Sequence, residues 1–352
     1  MSKYLSERYM SLKPYEPGEQ PQDRQYLKLN TNESPFPPPK EALDYAQAHA
    51  RSYELYSDPE SVELRQALAE RYQVPIDMVM VGNGSDEVLN YAFMAFGSDA
   101  RPALFPDVTY GFYKVFADVN RIPYKEIPVE DDLTIRLDRY AGQKALVVFP
   151  NPNAPTGIFL PPEEIARLAQ RSPDSVIMVD EAYVDFGGTS CIPLTLKYQN
   201  LLIVQTFSKS RSLAGARIGF CVGAPQLIRD LQTIRYSVNP YNMNAYTQAL
   251  GIGVLGCEET IQKNCRTIIE NRAYLTAQLK ALGFSCTDSL TNFVFARHPR
   301  LNGRALCDLL RDRGVLVRHF NQTRISQYNR ITVGTKEQID RLIAEIRAVL
   351  DM

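Results

Sequence analysis

Between about Asn32 and Asn239, short apolar runs alternate with stretches of helical pattern, and no other feature narrows the possible folds as much. Ala145-Leu-Val-Val-Phe149, Ser175 to Val179 and Leu201-Leu-Ile-Val204 are such runs. Their alternation with helices predicts an α/β fold, a large domain whose mainly parallel sheet is covered by helices. Ligands of these sheets sit beyond the carboxyl ends of the strands, which makes the residues just after each run the candidates for function. Upstream, the first thirty or so residues are polar and carry prolines, and read as an arm over 1–31. The large domain then spans 32–240. After Pro240 the texture changes to a long helical connection from about Tyr246 to Leu282, followed by Asn292-Phe-Val-Phe295 and a helix around Arg304 to Arg313. The strands Gly314-Val-Leu-Val-Arg318 and Arg330-Ile-Thr-Val333 come next, with a closing amphipathic helix from Lys336. This is the pattern of a smaller α+β domain over 241–352, without internal repeats.

Two strand ends carry chemistry. In Thr206-Phe-Ser-Lys-Ser-Arg-Ser-Leu-Ala-Gly-Ala-Arg217 one lysine ends an apolar run, with hydroxyls before it and an arginine eight residues after. The grouping suits a lysine that makes a Schiff base while hydroxyls and a guanidinium hold a phosphate. An amine becomes nucleophilic toward an aldehyde when a dehydrated pocket or a neighbouring cation lowers its pKa. An isolated Ser-Lys pair is more often an ordinary surface turn, and a second signal upstream changes that balance. Val176-Ile-Met-Val-Asp180 is an apolar strand ending in a carboxylate, with Tyr183 three residues on. A carboxylate there can hold a pyridinium proton, as pyridoxal phosphate requires to act as an electron sink. Alone it could equally bind magnesium. A third segment, Met78 to Glu87, reads as a strand, a glycine turn and a helix beginning near Ser85, whose free amides and dipole favour an anion.

Together these segments resemble the fold-type I aminotransferases that use pyridoxal 5'-phosphate, and within them the histidinol-phosphate aminotransferase family. The resemblance runs from about Tyr15 to Thr335, in family order. It implies an aspartate-aminotransferase-like fold, with Lys209 carrying the cofactor and serving as catalytic base. Asp180 is the implied partner of the ring nitrogen and Tyr183 of the ring's phenolic oxygen. Gly84, Ser85, Asp86, Thr206, Ser208 and Arg217 are the implied phosphate contacts, and Tyr110 the aromatic stacked on the ring. The family's usual Asn-Pro-Asn-Asn-Pro-Thr-Gly stands here as Asn151-Pro-Asn-Ala-Pro-Thr-Gly157. With Ala154 in the usual asparagine's place, either Asn153 reaches the phenolic oxygen or Tyr183 holds it with less help. For substrate, the resemblance implies Arg330 at an anionic group, Arg318 near the substrate phosphate, Tyr15 of the arm, and Asn32 at the mouth of the site. Tyr56 in Leu55-Tyr-Ser-Asp-Pro59 resembles a tyrosine that reaches the cofactor of a neighbouring subunit, which implies a homodimer with a shared site.

The implied reaction is transamination between an amine and a keto acid, with L-histidinol phosphate and 2-oxoglutarate as the pair. An aromatic amino-acid aminotransferase and a threonine-phosphate decarboxylase share the same motifs. A non-catalytic sensor on the same fold is the reading from another class, and the intact Lys209 and Asp180 weigh against it. A formal net charge of −1 leaves no basic field for nucleic acid. The polar segment MSKYLSERYMSLKPYEPGEQ lacks the apolar core of a signal peptide, and no stretch is long enough to span a bilayer, so a cytoplasmic enzyme is expected. Six cysteines without a CxxC and three histidines read as structural thiols in a reducing compartment, with no metal site expected.

Overall fold

The computed structural model describes residues 2, 4–50 and 54–351. Its strands are β1 (Leu27–Lys28), β2 (Val79–Asn83), β3 (Ala103–Pro106), β4 (Tyr124–Ile127), β5 (Leu146–Pro150), β6 (Val176–Asp180) and β7 (Leu201–Thr206). They continue as β8 (Ile218–Gly223), β9 (Ser285–Cys286), β10 (Phe293–Arg297), β11 (Val315–Leu316), β12 (Arg318–His319) and β13 (Tyr328–Thr332). A seven-stranded sheet runs β2-β8-β7-β6-β5-β3-β4. Only β8 is antiparallel to its neighbours in that sheet, so the expected α/β fold with a mainly parallel sheet is what forms.

Both faces of this sheet are covered. Along β6, Val176 and Met178 join one apolar cluster with side chains of helices Ser85–Phe96 and Phe112–Asn120. Ile177 and Val179 point the other way, into a cluster shared with helix Pro162–Arg171. The period of two therefore assigns Asp180, next in the series after Val176 and Met178, to the Phe112–Asn120 side. In register, Asp180 lies beside Pro150 of β5 and Val204 of β7, so β5 and β6 end at one level while β7 runs two residues further, to Thr206.

The C-terminal region builds an antiparallel sheet, β12-β13-β10-β9, backed by helices Glu258–Ala281, Gly303–Asp312 and Lys336–Leu350. Thr335 and Gln338 close the start of the last helix with a reciprocal capping box. Three details differ from the sequence expectation. The long helical connection is two helices, Ala245–Leu255 and Glu258–Ala281, interrupted at Gly256 and Cys257. The first packs on helix Lys40–His49 so closely that a Cβ on Gly253 would lie 2.8 Å from the Ala42 carbonyl oxygen. The expected strand 314–318 is split, since β11 pairs in parallel with β1 while β12 joins β13. The arm thus ends as a strand of the C-terminal region, where Thr332 N also donates to Leu29 O at 2.9 Å.

Candidate active site

The strand ends meet around one cavity of about 730 Å³ including its mouth. Lining it are Ser85, Asp86, Tyr110, Asp180, Tyr183, Thr206, Ser208, Lys209 and Arg217, together with Thr31, Glu33 and Ala154.

Lys209 enters from the turn after β7. Its Nζ donates to Thr31 O at 3.3 Å and stands 5.8 Å from the centre of the Tyr183 ring. Burial, with the Arg330 charge second, pushes its pKa down to about 8. An amine tuned this way is partly neutral near physiological pH, which a nucleophile or base requires. The turn is anchored from behind: Ser210 and Arg211 both bond Asp185, and Arg211 Nη2 donates to the Tyr72 hydroxyl at 2.9 Å.

Asp180 is only 5 % exposed. Its Oδ2 accepts from the Tyr113 hydroxyl at 2.9 Å and its Oδ1 from Ala182 N at 3.2 Å. Burial raises its pKa to about 6, against the lowering effect of those two donors. Tyr183 is buried and its hydroxyl accepts from Asn32 Nδ2 at 2.9 Å. With that lone pair used, the phenolic proton is available to another acceptor. Asn32 is itself fixed by Thr332, whose Oγ1 accepts from Asn32 N at 2.9 Å, and its backbone lies in the left-handed region at φ 56°.

The anion cup forms where β2 turns into helix Ser85–Phe96. Gly84 occupies the cap position at φ 84° and no side chain caps the helix, so its first amides have no side-chain acceptor beside the cavity that Ser85 and Asp86 line. A Cβ on Gly84 would lie 2.4 Å from Arg217 Nη2, and one on Gly219 of β8 would lie 2.2 Å from Ser85 N. Glycine at both positions is what allows the helix terminus, β8 and Arg217 to converge. Arg217 Nη2 donates to Asp86 Oδ2 at 3.1 Å and the Tyr110 hydroxyl to Asp86 Oδ1 at 2.8 Å. Thr206 Oγ1 and Ser208 Oγ lie 3.0 Å apart, both buried. Uncapped amides, two hydroxyls and a guanidinium suit a phosphate, and a buried carboxylate with a neighbouring tyrosine and amine suits a pyridine aldehyde. The residues present therefore fit pyridoxal phosphate.

Arg330 of β13 stacks near Phe293 and Phe320, at 5.4 and 5.6 Å from their ring centres. Its Nη2 donates to Asn30 O at 3.1 Å, but its Nε is buried without a protein partner. An orphaned guanidinium N–H is costly unless an anion or water completes it.

Seven sequence-derived candidates do not line the cavity: Gly84, Asn32 and Arg330, placed above, and Asn153, Arg318, Tyr15 and Tyr56. Asn153 is buried beside it, but its amide donates to Val108 O at 3.0 Å and Thr156 Oγ1 at 3.1 Å, while Ala154 faces the cavity. Arg318 donates to Glu16 O at 2.9 Å and Pro17 O at 3.2 Å, and so ties down the arm. Tyr15 stacks on Phe112 at 4.2 Å, 6.2 Å from Tyr110. Tyr56 is 78 % exposed and stacks on Tyr241 at 4.4 Å. Conversely, Tyr113, Glu33 and the Thr31 carbonyl stand at the site without having been singled out. The Tyr110-Gly-Phe-Tyr113 spacing at a helix start was the available signal for the first of these.

Residues 24–346 match the family model for aminotransferase class I and II. A histidinol-phosphate aminotransferase of Aromatoleum aromaticum is 45 % identical, covering 99 % of this chain and 100 % of its own. Histidinol-phosphate aminotransferase 2 of Rhizobium meliloti is 46 % identical over 99 % of this chain and 100 % of its own. Among solved structures, histidinol-phosphate aminotransferase from Sinorhizobium meliloti in complex with pyridoxal-5'-phosphate has the same fold, with a TM-score of 0.88, 23 % identity and 99 % of each chain covered. A lysine, a buried carboxylate and an anion cup at adjoining strand ends, in a chain alike to these relatives from end to end, place it in the histidinol-phosphate aminotransferase family of the class I and II aminotransferases.

Proposed function

We propose that the protein uses pyridoxal 5'-phosphate to transfer the amino group of L-histidinol phosphate to 2-oxoglutarate, giving imidazole-acetol phosphate and L-glutamate in histidine biosynthesis. The observation that carries this reading is the convergence of Lys209, Asp180, Tyr183 and the uncapped helix terminus on one cavity. Bound there, the cofactor supplies an electron sink for a substrate carbanion. The first amides of helix Ser85–Phe96, Thr206, Ser208 and Arg217 would hold its phosphate. Tyr110 would stack on the ring, Tyr183 would donate to the phenolic oxygen, and Asp180 would keep the ring nitrogen protonated. Lys209 Nζ would anchor the cofactor, and as a free amine it would take the proton from the α-carbon of the amine substrate. Arg330, whose Nε lacks a partner, grips the substrate anion, with Arg318 and Tyr15 fixing the arm side of the site. In this reading Asn153 holds the loop that presents Ala154, and Tyr183 with Asn32 behind it holds the phenolic oxygen.

A single-turnover absorbance assay tests the substrate. L-Histidinol phosphate is expected to convert the bound cofactor at low concentration. L-Phenylalanine and L-threonine phosphate should require far more, and the latter should release no carbon dioxide. Arg330→Ala should raise KM for histidinol phosphate by about 10- to 100-fold, the loss of one charge-assisted pair. Equal use of phenylalanine would instead indicate a broader aromatic aminotransferase, and carbon dioxide from threonine phosphate a decarboxylase.

The same proposal includes a homodimer and a cytoplasmic location. Six unpaired cysteines accord with a reducing compartment. Leu55, Tyr56, Tyr236, Val238 and Tyr241 are all exposed, and Tyr56 with Tyr241 forms a stacked aromatic pair open to solvent. Apolar side chains in such numbers favour cover by a partner, and Tyr56 on that face can reach a second copy's phosphate cup. Sedimentation should give twice the chain mass at micromolar concentration, and Tyr56→Ala should weaken cofactor retention. A monomer with full activity would remove this part of the proposal.

A further inference from the structure

Tyr113 is the second residue of helix Phe112–Asn120, and its ring is wholly buried among Phe93, Phe105 and Tyr110. The helix lies on the sheet face to which Asp180 belongs, and the Tyr113 hydroxyl meets Asp180 Oδ2 at 2.9 Å. Ala182 N holds the other oxygen, so the two donors fix the plane of the carboxylate from two sides. Burial and the adjacent carboxylate raise the Tyr113 phenol well above its ordinary value, which leaves it a neutral donor at any working pH.

We propose that Tyr113 is a positioning residue for the reaction: its hydroxyl sets the orientation of the Asp180 carboxylate and holds it ionised, ready to face a positively charged ring nitrogen. The inference rests on the reading of Asp180 as the ring-nitrogen partner. Other groups facing Asp180 are Asp86 from helix Ser85–Phe96, Tyr110 from the turn before the Tyr113 helix, Tyr183 beyond β6, and Lys209 beyond β7. Asp86 opposes ionisation of Asp180 and Lys209 favours it, and the Tyr113 bond adds to the favourable side. Removing that bond raises the pH at which Asp180 takes up a proton. A protonated Asp180 must release it to pair with a pyridinium, so the loss falls on the acid side and fades as pH rises.

The test is the dissociation constant of pyridoxal phosphate measured against pH on the full chain stripped of cofactor. Its control ligand is the 1-deaza analogue, which carries CH in place of the ring nitrogen. Tyr113→Phe is expected to bind pyridoxal phosphate about fivefold more weakly near pH 6 and within about twofold of the unaltered chain near pH 8.5. The deaza analogue should show no such pH-dependent gap. A loss equal at every pH and for both ligands would mean that the hydroxyl only packs, and no loss at all would mean that it does nothing for Asp180; either overturns the proposal. Should Tyr113→Phe fail to fold, 3-fluorotyrosine installed at position 113 gives the same test in reverse, because a more acidic phenol is a stronger donor. The midpoint of the pH dependence should then move down, and an unmoved or raised midpoint overturns the proposal. Asp180→Asn separates the two layers of the argument. If that variant loses its preference for pyridoxal phosphate over the deaza analogue while Tyr113→Phe shows no acid-side gap, Tyr113 alone is misread. If Asp180→Asn keeps the preference, the role of Asp180 falls and this inference with it.

Discussion

Replacing Lys209 by alanine is expected to lower transamination by about 10⁴-fold, the upper end of what one positioned proton-transfer group contributes. In the proposed mechanism two functions leave with the same atom, the covalent anchor of the cofactor and the base at the substrate α-carbon. No neighbour can substitute. The other functional groups on the cavity wall are carboxylates, hydroxyls, phenols and the Arg217 guanidinium, and none is a second lysine amine that could form a Schiff base. Lys209 reaches the cavity with its pKa pushed down to about 8 by burial, so a neutral amine is accessible near neutral pH. The measurements are the single-turnover rate and the mass of a tryptic peptide after borohydride reduction of the cofactor-loaded protein. Cofactor fixed by borohydride in Lys209→Ala would mean that another amine carries it.

Asp180→Asn is expected to cost about 10²- to 10³-fold in kcat, or about 3–4 kcal/mol of transition-state stabilisation. The amide preserves size, but it carries no charge to hold a proton on the ring nitrogen. The proposed role suits Asp180 because it is buried, yet retains two donors that favour its ionised form against the desolvation that drives its pKa to about 6. N-methylated pyridoxal phosphate keeps the ring positive without a proton and should recover at least about tenfold of the loss. If the methylated cofactor restores nothing, the defect is one of packing or position and the electron-sink role of Asp180 fails.

The parts of the site that could be read in the sequence are those fixed by local pattern. Asp180 and Lys209 each follow a continuous apolar run, and Gly84 stands between a strand and a helix, so chain direction alone puts all three at one edge of the sheet. What lies opposite them depends on tertiary approach. Tyr113 meets Asp180 only because helix Phe112–Asn120 covers one particular face, which a three-residue spacing at a helix start does not specify. Gly219 is a small residue in an apolar strand until the Ser85 amide is seen pressed against it. Arg318 and Arg330 look alike in sequence, each on a short strand of the C-terminal region. The first spends its donors on arm carbonyls while the second keeps an unpaired Nε, a difference that follows from where the arm lies. Strand β1 is two residues long, too short to carry a periodic signal, and its partner is far away in the chain.

That pairing of Leu27 and Lys28 with Val315 and Leu316 also bears on how the molecule comes together in time. Closing a loop that takes in most of the chain is slow and entropically opposed, and a two-stranded ladder rewards it little on its own. During synthesis the segment made early must wait for one made near the end. The wall bearing Asp180 and Lys209 can assemble from contiguous chain well before then. Thr31 and Asn32, which follow β1 and lean on Lys209 and Tyr183, are anchored through Thr332, and so reach their places only after β13 exists. A nascent chain would therefore hold the wall bearing Asp180 and Lys209 before Thr31 and Asn32 close against it.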